Sequence, residues 1–149
     1  MGERDEITHF VRGTLGCGCP DAVFDSIVVE SVVPAANGLP VLQLLIGSRL
    51  LIQLVVPPHD ATAAGWIERL AAAGRAARDR HGYNRFRLVI VTSPGQALPA
   101  GLDERFVRLA GTDERVHLHV VAQDQLPEAL SRPLAAVSSA SGATRTEAK

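Results

Sequence analysis

The chain has 149 residues, 46% of them hydrophobic and 21% charged, with a formal net charge of −1 and a pI near 6.5. This length suits one domain with a core of its own, and a charge balance so close to neutral excludes a general electrostatic attraction to nucleic acid or to an anionic membrane. Lys149 is the only lysine, so no internal lysine is available for catalysis.

In chain order, the opening run from Met1 to Glu6 is charged rather than apolar, so no secretory signal is expected and the chain reads as cytoplasmic. Ile7, Phe10, Val11, Thr14 and Leu15 recur at helical spacing and predict a helix over 4–15 that ends at Gly16. Pro20 suits the first position of a short second helix over 20–26, with Cys19 as its N-cap and Asp21 in its first turn. The β-branched run 27–33 predicts a strand, and 34–38, with Pro34, Asn37 and Gly38, a turn. Segments 41–46 and 50–56 flank Gly47-Ser48, a hairpin signal. Both are too short to span a bilayer. Their apolar character, interrupted only by Gln43 and Gln53, predicts a sheet covered on both faces.

Pro57-Pro58 ends that strand, Asp60 is a natural N-cap, and 61–81 reads as a long helix closed by Gly82. Its inner stripe is Trp66, Ile67, Leu70, Ala73, Gly74 and Ala77, where Gly74 suggests a close backbone approach. A buried strand over 86–92, broken by Ser93-Pro94-Gly95, precedes a short helix over 102–109 and a last strand over 116–121. A helix over 125–130 closes a single domain, 1–132, and 133–149 reads as a disordered tail. The expected fold is α/β (α+β): a mixed sheet in which a three-strand antiparallel meander is followed by helix–strand crossovers.

Both cysteines lie in Cys17-Gly18-Cys19-Pro20. In a reducing compartment such a pair is a metal or redox site more often than a staple. Two sulfurs one residue apart can converge on zinc, copper(I) or iron–sulfur iron, with the remaining ligands drawn from elsewhere or from a second copy. Alternatively they form a redox pair in which Cys19 reacts and Cys17 resolves, or they are small buried filler. His117 and His119 alternate with Leu118 and so share one face of a strand, as added ligands would; the same alternation also describes a half-exposed edge strand. His9 and His59 are further candidate ligands. Between Gly74 and Arg87 the sequence carries Arg75, Arg78, Arg80, Arg85 and Arg87 against the single acid Asp79, a patch able to hold phosphate, nucleotide or an RNA strand, or simply a solvated helix face. There is no phosphate loop, dinucleotide fingerprint, Gly-x-Ser-x-Gly elbow or His-Glu-x-x-His.

The stretch 10–24 around Cys17-Gly18-Cys19-Pro20, together with 74–87, resembles an uncharacterised prokaryotic family marked by a Cys-Gly-Cys-Pro motif, which implies a fold but no activity. The predicted order helix, three-strand meander, helix, strand is similar to the core of PD-(D/E)XK nucleases. That resemblance implies carboxylates and a lysine on the second and third strands; Gln43 and Gln53 stand there instead, with Glu30 the only strand acid. It therefore implies a non-catalytic module that binds nucleic acid or a protein partner.

The leading expectation is a small soluble accessory protein that binds a soft metal, zinc, or an iron–sulfur centre through Cys17 and Cys19, with His117 and His119 as added ligands. The alternatives are a thiol-redox enzyme or sensor, and a binding module using Arg75, Arg78, Arg85 and Arg87. A protein partner or a homodimer fits any of the three.

Overall fold

The computed structural model describes residues 2–16, 18–32, 40–57, 65–95, 98, 101–110 and 115–147, with side chains described in these except at 103, 105, 109, 110 and 138–147. Among the described residues there are four α-helices and five strands: α1 Glu3–His9, β1 Ile27–Val32, β2 Val41–Ile46, β3 Leu50–Val55, α2 Trp66–His81, β4 Arg85–Thr92, α3 Leu102–Ala110, β5 Val116–Ala122 and α4 Glu128–Glu147. The strands form one sheet in sequence order. The pairs β1–β2 and β2–β3 are antiparallel, and β3–β4 and β4–β5 are parallel. This is the expected mixed α+β sheet, with the meander first and the crossovers after it.

The alternation of strand side chains sorts the core into two layers. Leu42, Leu44, Ile46, Leu50, Ile52 and Leu54 pack with Ile7, Phe10, Val11 and Leu130, so α1 and α4 cover one face. Leu51, Val55, Phe86, Leu88 and Ile90 pack with Trp66, Ile67 and Leu70, so α2 covers the other. Every residue of β3 is buried, which explains why its sequence reads as an almost unbroken apolar run.

Local chemistry sets the element ends. The β2–β3 loop is the three residues 47–49, in which Gly47 and Ser48 both have positive φ, 59° and 57°, as the central pair of a tight turn closed by the Arg49 amide donating to the Ile46 carbonyl at 3.1 Å. Gly47 is also fixed by contact, because a Cβ there would run into the Val23 backbone and side chain. α2 ends at Gly82 (φ 71°), where the Gly82 and Tyr83 amides donate to the carbonyls of Asp79 and Arg78. Its start lies later than expected, at Trp66, after Gly65 in the left-handed region (φ 102°); the predicted cap Asp60 and the residues 61–64 lie outside the described residues, as does the predicted turn 34–38. Gly74 packs against the ring of Phe86, the close approach its position in the stripe suggests.

Three further stretches differ from the sequence reading. The first helix changes pitch: Phe10–Thr14 is a π-helical turn in which the Leu15 amide donates to the Phe10 carbonyl. Residues Asp21–Asp25 form a 3-10 turn with Pro20, not Cys19, at its N-cap, so no α-helix dipole acts on Cys19. α4 runs past Arg132, where the composition sets the domain end; Leu134 and Val137 are buried in the core although Pro133 lies inside the helix. The Ala129 amide at the start of α4 donates to the Glu6 carboxylate, fastening α4 to α1. Among the described residues no helix is long and apolar enough to cross a membrane.

Candidate functional site

Arg12 fastens the segment that carries Cys19 at its start, and Arg4 fastens it at its end, donating to the Phe24 carbonyl and the Asp25 carboxylate. Arg12, on the π-helical turn, donates from Nε and Nη2 to the Cys19 carbonyl at 3.2 and 2.7 Å. The same Nη2 is 2.7 Å from the Asp21 carboxylate, and the guanidinium lies over the Phe24 ring with its carbon 5.2 Å from the centroid. The pairing with Asp21 is largely solvent-exposed and contributes little alone. The fork on the carbonyl and the stacking fix where the segment runs. Further along, the Gly47 amide donates to the Ser26 carbonyl at 2.9 Å, joining the segment to the hairpin turn.

Cys19 is half-buried and packs its inner side against the core. It is disulfide-bonded. The chain's other cysteine, Cys17, lies outside the described residues. Cys19 also lines an open cavity of about 290 Å3, together with Gly18, Arg49, Asn84, Arg85 and Arg87.

Three separate elements bring the arginines together. Parallel pairing sets Leu50 opposite Arg85, so the end of the β2–β3 turn meets the start of β4. There the Arg49 carbonyl accepts from both the Asn84 and Arg85 amides, at 2.8 and 3.0 Å. Arg85 and Arg87, two positions apart on β4, emerge on the same face of the sheet, the one covered by α1.

Arg87 is only 8% exposed. Its Nη1 donates to the Leu15 carbonyl at 3.0 Å and to His119 Nε2 at 2.8 Å. His119 must therefore be the tautomer with a bare Nε2. Burial, then the charge of Arg87 and then that of His117, hold the His119 imidazole down to about 4. Burial, with Arg85 adding repulsion, lowers the Arg87 guanidinium from its usual value; a guanidinium nonetheless stays charged at any physiological pH. No carboxylate pairs with Arg87 among the described residues, and its buried Nε has no hydrogen-bond partner.

The sequence-level candidates divide in space. His117 and His119 do share a face of an edge strand, β5, but His119 Nε2 is occupied by Arg87. Among the described residues no three His, Cys, Asp or Glu side chains gather as a metal site would require. A cation in the cavity would also meet the field of Arg49, Arg85 and Arg87. The four-arginine patch splits: Arg75 and Arg78 belong to α2 on the opposite face, where Arg78 is buried with its Nη2 3.1 Å from Asp79, while Arg85 and Arg87 line the cavity. His9 is exposed at the end of α1, and His59 lies outside the described residues. Glu30, Gln43 and Gln53 form a hydrogen-bonded row across β1, β2 and β3, at 2.7 and 2.8 Å.

Sequence reasoning missed Arg49, Asn84 and Arg12. Only the strand pairing brings the first two to Cys19; the available signal was that a hairpin ending in arginine is followed by a crossover to a parallel strand opening on Asn84-Arg85. Compared with known proteins, the chain matches no family model, no curated protein and no solved structure.

Proposed function

We propose that the chain is a thiol–disulfide redox protein in which Cys19 and Cys17 cycle between dithiol and disulfide. The observation that carries this reading is that Cys19, disulfide-bonded, lines an open cavity instead of being sealed in the core. An incoming thiolate reaches a disulfide only through such an opening. Cationic surroundings from Arg49, Arg85 and Arg87 favour both the approach of a thiolate and its release. Arg12 keeps the backbone of the segment in place while the sulfurs change partners.

The test is a thiol count on native protein in buffers of graded dithiol-to-disulfide ratio. Reversible conversion between no free thiol and the two thiols of the sequence, without loss of the folded circular dichroism spectrum, is expected. Cys19→Ser is expected to abolish reduction of bis(2-hydroxyethyl) disulfide by the native protein. A disulfide that opens only after denaturation, or that never reforms, overturns the reading. Stoichiometric zinc uptake by the reduced protein, with no disulfide turnover, would instead favour the accessory metal-binding reading.

A further inference from the structure

We propose that the cavity beside Cys19 is an oxyanion-binding site, built on Arg87 with Arg49, Arg85 and Asn84, which selects low-molecular-mass thiols and disulfides carrying a carboxylate or phosphate group. The specificity part rests on the redox reading given above; the anion site stands on geometry of its own.

Arg87 is the centre of that geometry. Both of its hydrogen bonds use Nη1, on the side facing Leu15 and His119. The Nε–Nη2 edge, which in a guanidinium takes an oxyanion in two parallel bonds, makes no hydrogen bond to any described residue, and Nε is buried. A buried donor left unmade is costly, and a buried charge without a counter-ion is costlier still. In proteins such a group is completed by ordered water, an ion or a bound ligand. Arg87 also lines the cavity, so an anion entering there meets the field of its guanidinium.

The rest of the lining agrees. Arg49 and Arg85 are exposed at the mouth and add positive charge, with the Asn84 amide beside them. No acidic residue lines the cavity among the described residues. His119 cannot serve as counter-ion, being neutral with its Nε2 turned to Arg87. A volume of about 290 Å3 has room for a carboxylate or phosphate group and a short stem that ends in sulfur.

In the redox cycle the anion anchors the incoming thiol. Its thiolate attacks one sulfur of the protein disulfide, forming a mixed disulfide and releasing the other cysteine as thiolate. A second thiol then attacks the mixed disulfide. The small molecules leave joined as a disulfide, oxidised by two electrons, and the protein is left as the dithiol. Run in reverse, the same steps reduce a small anionic disulfide.

Two measurements test this on the full chain. In the first, inorganic phosphate and succinate are titrated while the Arg87 Nε–Hε resonance is followed in a 1H–15N spectrum. A saturable shift with one or both probes, at roughly millimolar affinity or tighter, is expected, and which probe binds more tightly separates a phosphate ligand from a carboxylate one. Arg85→Gln and Arg49→Gln, both at the exposed mouth, are expected to weaken binding about tenfold each without changing the melting temperature. Arg87→Gln is expected to abolish binding; because Arg87 is buried and that variant can lose its fold, the two mouth variants carry the test. No saturable shift with either probe overturns the site.

In the second, disulfide reduction by mercaptosuccinate is compared with reduction by 2-mercaptoethanol. The ratio of the two rates is expected to fall about tenfold in Arg85→Gln, through the anionic thiol alone. An unchanged ratio, with reversible reduction by 2-mercaptoethanol intact, overturns the specificity and leaves the redox reading standing. Saturable phosphate binding to a protein whose disulfide resists both thiols overturns the redox reading and leaves the anion site.

Discussion

His119 accepts a hydrogen bond from Arg87 only while its Nε2 carries no proton. With the folded imidazole held down to about 4 against an ordinary 6.5, the unfolded chain binds more protons between these values. Stability from this contact is therefore fully present above pH 6.5 and is lost as the pH falls toward 4. Urea midpoints measured across that window are expected to decline, and His119→Gln, which keeps an acceptor but does not titrate, is expected to flatten the decline. Gly74 makes a second prediction at this scale. Alanine gains about 1 kcal/mol of helix propensity over glycine, yet a Cβ there collides with the Phe86 ring in a filled layer of the core. Overpacking of this kind costs about 1–3 kcal/mol, so Gly74→Ala is expected to lower the urea midpoint, against its propensity.

Among the elements, α4 departs most from what its composition suggests. Serine and an internal Pro133 work against a helix there, while Leu130, Leu134 and Val137 give it three side chains that the α1 face of the sheet buries. Leu134→Ala is expected to cost about 2–5 kcal/mol, read by urea denaturation, as for any core leucine. The strands were legible because their apolar and β-branched runs are long and interrupted by turn residues whose φ values the hairpin requires, as at Gly47. The buried stripe of α2 was legible for the same reason, from Trp66 to Ala77. The pitch change at Phe10 was not, since a π turn preserves the same buried residues and differs only in which carbonyl each amide chooses. The arginine cavity was not legible either: Arg49 and Arg87 lie 38 positions apart and meet only through the parallel register of β3 and β4.

For the whole molecule, the redox proposal requires that folding survive both states of the sulfurs. Cys17 and Cys19 are separated by one residue, and so short a loop removes little chain entropy; reduction is expected to lower stability by no more than about 2 kcal/mol. Thermal melts of oxidised and reduced protein, both cooperative and with nearby midpoints, would show this; collapse of the reduced form would mark the bond as a structural staple. The fold's stability rests instead on its two apolar layers, whose side chains are mostly leucine, isoleucine and valine on β2 and β3. Strands so uniformly greasy have a weakness: sliding one past the other by two positions returns a similar side chain to each slot and alters the hydrophobic energy little. The row from Glu30 through Gln43 to Gln53 removes that freedom, because any slide would strand at least one sealed amide away from its neighbour. These three polar residues act as alignment pins, trading some cohesion for a single way of zipping the sheet, and so they also fix where Arg49 is set down next to β4.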